Sequence, residues 1–147
     1  MRIRIATIGF TKKPLSTFIE LLHSAGVTKV IDTRLRPNSQ LSGFAKSDDL
    51  SFILGRFGIA YEHCPILTPT DALLRQYRTD HDWDKYELGY RSLIEERYGI
   101  EAMERAVVDG QVPCLLCSED SPAKCHRRVL AEMYASKHAD AGIVHLQ

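Results

Sequence analysis

The chain has 147 residues, 44% of them hydrophobic and 26% charged, and its 19 basic residues balance its 19 acidic ones. This length fits one domain, and the zero formal net charge excludes strong attraction to nucleic acid through overall charge, which leaves only a local basic patch for such binding. No stretch approaches the ~20 apolar residues of a membrane span and the N-terminus does not resemble a secretory signal, so we expect a cytoplasmic protein without membrane contact.

Strand and helix patterns alternate through the first half of the chain. In order, they are strand 3–8, helix 14–25, strand 27–33, helix 48–57 and strand 59–64. Short connections between the first three elements favour a parallel, right-handed crossover unit. Ser47 is predicted to cap the second helix, and the composition of residues 35–46 predicts a loop before it.

The second half is mainly helical around one strongly apolar strand. In order, the predicted elements are helix 71–78, helix 82–98, helix 101–109, strand 112–117, helix 123–137 and strand 143–146. Gly99 is predicted to end the second of these helices. The whole pattern predicts a single α/β domain over residues 1–147, with an open, mostly parallel sheet of about five strands and helices on both faces. Sites in such sheets lie beyond the carboxyl ends of the strands.

The densest polar stretch is 117–128, which leaves an apolar strand and enters a helix. Backbone N–H groups at a helix start can bind an anion, and Lys124, Arg127 and Arg128 would bring positive charge to the same turn. Cations at the N-terminal end of the helix dipole destabilise the helix by a few tenths of a kcal/mol each. An anionic ligand or the side chain of Glu119 would neutralise them and remove this unfavourable interaction. The alternative is an ordinary helix start with solvated arginines.

The second predicted strand ends in a charged segment that contains Asp32, Arg34 and Arg36. Guanidinium groups bind phosphate and carboxylate in a bidentate manner, so these arginines are candidates for holding an anionic ligand. An internal salt bridge of Asp32 with Arg34 or Arg127, which would only join loops, is an equally weighted alternative.

Other strand ends and one helix add further candidates. Gly9 ends the first strand, and His63 ends the third, where it is a candidate general base or hydrogen-bond donor, although a structural histidine is the more frequent case. Trp83, Tyr86, Tyr90 and Tyr98 lie along one side of a predicted helix. Core packing explains such a stripe more often than base stacking, while a tyrosine hydroxyl can still line a pocket.

Four cysteines occur in the chain, and in a reducing compartment we expect free thiols, ligands or core residues rather than disulfides. Cys125 has the setting of a reactive thiol, at a helix start beside a histidine and an arginine, although core cysteines are more frequent. We predict Cys117, Glu119, Cys125 and His126 as the groups for any proton transfer or nucleophilic step.

Cys114 and Cys117 point to opposite faces of a strand, which argues against a metal or thioredoxin-like pair. No metal or cofactor is predicted, and the remaining zinc alternative would use Cys117, Cys125, His126 and His63.

Five segments together carry a family resemblance. They are 6–10, 32–34, 61–63, the Trp83-x2-Tyr86-x3-Tyr90 helix and, most specifically, 115–119 followed by Cys125-His126-Arg127. In these segments the chain resembles the bacterial and archaeal domain of unknown function 488, over nearly its whole length. The resemblance implies a compact α/β fold and gives no established reaction. Two departures are Asp32-Thr33-Arg34 in place of Asp-Val-Arg, and Ile66-Leu67-Thr68 in place of a Leu-Gly segment.

The resulting hypothesis is a strand-end pocket for an anionic, phosphorylated or nucleotide- or nucleic-acid-derived ligand, with cysteine- or glutamate-dependent chemistry if the protein is an enzyme. The predicted ligand-binding residues are Gly9, Asp32, Arg34, Arg36, His63, Tyr90, Arg127 and Arg128. One alternative is a non-catalytic module that binds nucleic acid or a protein through a basic loop containing Lys46. Another is a polar cluster with a purely structural role. The oligomeric state is left open.

Overall fold

A computed structural model describes residues 4–38, 43–107, 110–119, 123–138 and 141–147. Within these ranges the strands are β1 (Arg4–Gly9), β2 (Lys29–Asp32), β3 (Ala60–His63), β4 (Pro113–Cys117) and β5 (Gly142–Leu146). The helices are α1 (Leu15–Ser24), α2 (Ser47–Arg56), α3 (Asp71–Asp80), α4 (Trp83–Glu96), α5 (Gly99–Ala106) and α6 (His126–Lys137). Two short 3-10 turns lie at Gly43–Ala45 and Pro65–Leu67.

The five strands form one parallel sheet in the order β3-β2-β4-β1-β5. Every residue of β4 is buried, which suits the centre of a parallel sheet covered on both faces. β4 lies between β1 and β2, so that Gly9 pairs with Cys117 and Asp32 with Leu116. The predicted α/β class and parallel sheet are therefore confirmed.

Two apolar cores lie on opposite faces of the sheet. Ile31 and Leu115 pack with residues of α4, α5 and α6, whereas Val30 and Leu116 pack with residues of α1 and α2. Neighbouring strand residues enter different cores because successive side chains point to opposite faces. The connection after β4 consequently leads to the face opposite to the one reached after β1 and β2. Such a reversal opens a crevice at the carboxyl ends of the strands.

Three details of the predicted helices are wrong. α2 begins at Ser47 itself with Lys46 at the N-cap position, and the Ser47 hydroxyl donates to Asn38 instead of capping the helix. α6 begins at His126, with Cys125 at its N-cap position, so Lys124 precedes the first turn. Gly99 is the first residue of α5 rather than the end of α4, and the preceding Tyr98 has a left-handed backbone conformation. Some predicted residues lie outside the described ranges. They are residue 3 of the first strand, loop residues 39–42, helix residues 108–109 and the polar residues 120–122.

Candidate functional site

A cavity of about 850 Å³ opens at the carboxyl ends of β1, β2 and β4. Its lining comes from the turn after β1, the segment after β2, the residues that flank the β4–α6 connection, and α3 with the segment before it. These residues are Phe10, Thr11, Lys12, Lys13, Arg34, Leu35, Arg36, Pro69, Leu74, Tyr77, Arg78, Ser118, Glu119 and His126. The crevice expected from the strand order and this cavity coincide.

The lining carries five cationic side chains and one carboxylate, that of Glu119, in a chain with no net charge. Arg36 forms a salt bridge of 2.9 Å with Asp71 of α3, and Arg34 is paired with a buried aspartate described below. Asp32 and Asp71 therefore each pair with one of the five cationic side chains. In the described part of the chain, Lys12 and Arg78 make no ion pair of their own.

Asp32 is not among the lining residues, and its carboxylate is used internally. The side chain is fully buried and accepts hydrogen bonds from the Arg34 backbone N–H at 3.1 Å, from Arg34 Nε at 2.9 Å and from Arg34 Nη2 at 2.7 Å. The Tyr61 hydroxyl is a fourth donor, and burial together with this carboxylate raises the pKa of Tyr61, which keeps it protonated. The salt-bridge alternative of Asp32 with Arg34 is therefore observed, while Arg34 still borders the cavity below the ring of Phe10.

His126 connects the two distant stretches that the sequence places at the site. Its Nε2 lies 2.9 Å from Thr33 Oγ1 and 3.1 Å from the Thr33 carbonyl oxygen, and the Thr33 hydroxyl donates to the carbonyl of Leu116. A carbonyl only accepts, and the one hydroxyl proton is already used, so Nε2 must carry the ring proton. The neutral ring therefore keeps its basic nitrogen at Nδ1, and the residue itself is part of the cavity lining.

The pH dependence of stability should report on this histidine. Burial lowers the pKa of His126 to about 4, with the neighbouring positive charge of Arg127 acting in the same direction. Because the pKa of His126 is lower in the folded than in the unfolded state, protonation favours the unfolded state. The neutral histidine therefore contributes its full stabilisation above pH 6.5, the ordinary pKa, and this stabilisation is lost as the pH falls toward 4. We expect H126Q to reduce that loss by about 1–3 kcal/mol, measured by urea unfolding at pH values between 4 and 7. H23Q, which changes an exposed histidine, should keep the wild-type profile, and an unchanged profile in H126Q would refute the assignment.

Arg127 is a fully buried guanidinium between β4 and the start of α6. Its Nη1 donates to Cys117 Sγ at 2.9 Å and to the carbonyl oxygen of Glu119. Gly9 makes this arrangement possible, because a Cβ at position 9 would overlap the Glu119 carbonyl oxygen and lie 3.0 Å from Arg127 Nη1. Four of the predicted residues thus lie together, with the Glu119 backbone held over the end of β1.

The sulfur atoms of Cys117 and Cys125 are in contact, and the Cα atoms of the two residues are 7.7 Å apart. The end of β4 and the N-cap of α6 thus lie side by side, a contact that the expectation of separate free thiols did not include. Cys64 and Cys114 are free and buried, as expected. Burial raises the pKa of both of these thiols, which keeps them protonated.

Tyr90 and His63 lie outside the cavity lining. Tyr90 is fully buried, its hydroxyl donates to the Leu67 carbonyl at 2.7 Å, and its ring packs 5.3 Å from that of His126. Direct contact with a ligand in the cavity does not fit this position, since the tyrosine is part of the core behind the histidine. His63 Nε2 donates to the Arg34 carbonyl at 2.9 Å, which places it behind the cavity wall.

Arg128 also lies outside the lining and is neutralised by the protein. Its guanidinium pairs with Glu87 of α4 at 3.1 Å and with Glu132 of α6 at 2.9 Å. The conflict between basic residues and the helix dipole is thus resolved here by acidic side chains of the protein rather than by a bound anion. Lys46 of the alternative basic loop precedes α2 and is not among the lining residues.

Some lining residues were predicted only as part of a strand end, and others were not predicted from the sequence. Lys12 and Lys13 lie in residues 9–13 at the end of β1, one of the strand ends at which the sequence predicts a site. Tyr77 and Arg78 belong to α3, and no local pattern shows that this helix borders the cavity.

Two classes of feature are not found among the residues that the structure describes. No helix there is long and apolar enough to cross a membrane. No group of three or more histidine, cysteine, aspartate or glutamate side chains in those ranges is arranged to hold a metal ion.

Comparison with known proteins gives one match. The family model described as "Domain of unknown function DUF488" matches residues 14–134. Searches among curated proteins and among solved structures gave no match.

Proposed function

The chain belongs to the family of the domain of unknown function DUF488, and membership in this family does not indicate a reaction. From the geometry of the site, we propose that the cavity binds an anionic ligand with a phosphate group, such as a nucleotide. The observation that carries this proposal is the concentration of five cationic side chains around one cavity of a neutral chain. A pocket built only for internal structure has no need of this charge excess.

The cavity also suits a ligand with an apolar part. Its volume of about 850 Å³ lies within the range of small-molecule pockets. Phe10, Leu74 and Tyr77 supply apolar and aromatic surface next to the cationic groups. A base or another flat ring can pack on such side chains while its phosphate meets the lysines and arginines. This combination favours a nucleotide over a bare inorganic anion.

Any chemistry on the bound ligand would use Glu119 and His126, the carboxylate and the imidazole of the lining. His126 is neutral near pH 7, with its basic nitrogen at Nδ1. Cys117 and Cys125 are buried and their sulfur atoms contact each other, so neither serves as a nucleophile toward a ligand in this arrangement. We therefore propose binding as the primary function, with proton transfer as the reaction type that the lining supports.

The test is binding of a panel of nucleoside mono-, di- and triphosphates by titration calorimetry, with inorganic phosphate as competitor. We expect R78A to weaken nucleotide affinity about tenfold or more, the value of one charge-assisted hydrogen bond, because Arg78 is exposed and has no ion pair of its own in the described part of the chain. Its unfolding midpoint should stay at the wild-type value.

R56A is the matched control, because it also removes an arginine from a helix surface but lies in α2, away from the cavity. Absence of binding by every nucleotide and by phosphate would refute the proposal. Steeply salt-dependent binding of single-stranded oligonucleotides, without nucleotide binding, would select the nucleic-acid module instead.

A further inference from the structure

We propose that Cys117 and Cys125 form a reversible dithiol–disulfide site that exchanges with low-molecular-weight thiols of the glutathione class. The two sulfur atoms are in contact, and the two cysteines are eight residues apart in the sequence. Cys117 is the last residue of the central strand β4, and Cys125 occupies the N-cap position of α6. Neither anion binding nor proton transfer in the cavity uses this pair.

The surroundings of the pair stabilise its reduced form. Arg127 Nη1 lies 2.9 Å from Cys117 Sγ, and a guanidinium in contact with sulfur favours the thiolate over the thiol. Cys125 precedes the first turn of a helix of 12 residues, whose N–H groups and dipole favour negative charge there. A disulfide whose thiolates are stabilised in this way is easier to reduce, so the cross-link can open without unfolding the protein.

Reduction proceeds by two thiolate exchanges. The first incoming thiolate attacks Cys125 Sγ, the S–S bond breaks, and Cys117 leaves as a thiolate beside Arg127, since the more stabilised thiolate is the better leaving group. A second incoming thiolate attacks the reagent sulfur of this mixed disulfide. Cys125 then leaves as a thiolate that takes up a proton, and the reagent departs as its own disulfide. Two electrons pass from the two reagent thiols to the pair, and glutathione disulfide reverses the sequence.

Cys125 is the sulfur that a reagent reaches first. Both cysteines are nearly fully buried, but exposed Ala123 and Lys124 immediately precede Cys125. Cys117 is the more enclosed of the two, because it pairs with Gly9 within the sheet and contacts Arg127.

Cys64 and Cys114 provide an internal comparison within the same molecule. Both are buried free cysteines, and burial raises their pKa values rather than lowering them. Their thiols should remain protonated and unreactive in the folded protein, so labelling at Cys114 reports unfolding.

The pair also borders the proposed ligand cavity. Ser118 and Glu119 directly follow Cys117, and His126 directly follows Cys125, and all three line the cavity. The cross-link therefore fixes the distance between two parts of its wall. This consequence rests on the proposed function: we expect nucleotide affinity to differ severalfold between the oxidised and reduced protein.

The first experiment counts thiols in the full chain equilibrated with oxidised or reduced glutathione. After acid quenching, denaturation and labelling with N-ethylmaleimide, mass spectrometry should find two labels after oxidation, on Cys64 and Cys114, and four after reduction. C117S should accumulate a mixed disulfide with glutathione at Cys125 faster than C125S does at Cys117. Four labels after oxidation, or a pair resistant to reduction in the folded protein, would overturn the proposal.

The second experiment measures thiolate formation by Cys117 from the pH dependence of iodoacetamide labelling in C125S. The midpoint should lie below the ordinary cysteine value of about 8.5. R127M in this background should raise the midpoint, and R127K should restore a low one because it keeps the positive charge. A C125S midpoint at or above about 8.5 overturns the role of Arg127 even if R127M fails to fold.

Neither labelling experiment contains a nucleotide. A cavity that binds no ligand therefore leaves their results intact, while an inert cysteine pair leaves the nucleotide titrations intact. Failure of the redox site is thereby distinguished from failure of the proposed binding function.

Discussion

Replacing Asp32 by alanine should lower the free energy of unfolding by about 3–5 kcal/mol, the cost of removing one partner from a buried ion pair. The carboxylate is fully buried and accepts four hydrogen bonds, three from Arg34 and one from Tyr61. In D32A the guanidinium remains in the interior without its counter-charge, and the tyrosine hydroxyl loses its acceptor. Urea unfolding followed by circular dichroism measures the change, and the melting temperature should fall by roughly 10 °C.

D71A is the matched control for this substitution. Asp71 also pairs with an arginine, but its side chain is 40% exposed and that of Arg36 is 56% exposed, so water screens the pair. The free energy of unfolding of D71A should equal that of the wild type. A D32A protein whose stability stays within about 1 kcal/mol of the wild type would show that the buried pair contributes no more than a surface one.

Gly9→Ala should have the second large effect, with a loss of about 1–3 kcal/mol of stability and loss of nucleotide binding. The added methyl group would occupy the position of the Glu119 carbonyl oxygen, which is backbone and cannot rotate away. Relief therefore requires the β4–α6 connection to move off β1, taking Ser118 and Glu119 out of the cavity wall. Chemical unfolding and calorimetric titration with a nucleotide measure the two losses.

Gly55→Ala separates this effect from glycine replacement in general. Position 55 lies within α2, and a Cβ there meets no atom within 4 Å. Alanine is the better helix former, so G55A should gain up to about 1 kcal/mol and bind nucleotide as the wild type does. Equal behaviour of the two variants would mean that the close approach at Gly9 has no role in holding the site.

The architecture could be predicted because strand and helix periodicities are local properties of the sequence. The convergence of three strand ends could be predicted as well, since the carboxyl ends of parallel strands meet at one edge and Asp32, Cys117 and Gly9 mark three of those ends. The contact of His126 with Thr33 is a direct result of that convergence.

The direction of individual side chains could not be predicted. Arg127 and Arg128 are adjacent in sequence and were assigned the same role, yet one is sealed against β4 and the other pairs with Glu87 and Glu132. Consecutive helix residues point about 100° apart, so only the docking of α6 decides which of them reaches a ligand. The same limit hides Arg78, whose relation to the cavity depends on how α3 packs.

The cysteine pairing shows a different limit. The expected compartment argued for free thiols, whereas the structure brings the end of β4 against the N-cap of α6. Spacing in sequence carries no information on that contact, because it depends on where the strand and the helix cross.

The late position of β4 in the chain has a consequence for synthesis of the protein. Both neighbours of β1 in the sheet, β4 and β5, begin only at residues 113 and 142. A nascent chain that has not yet reached Pro113 can pair only β2 with β3, and its first strand has two open edges. Such edges are templates for association with other chains, so the first strand stays open to wrong pairing until the central strand has been synthesised.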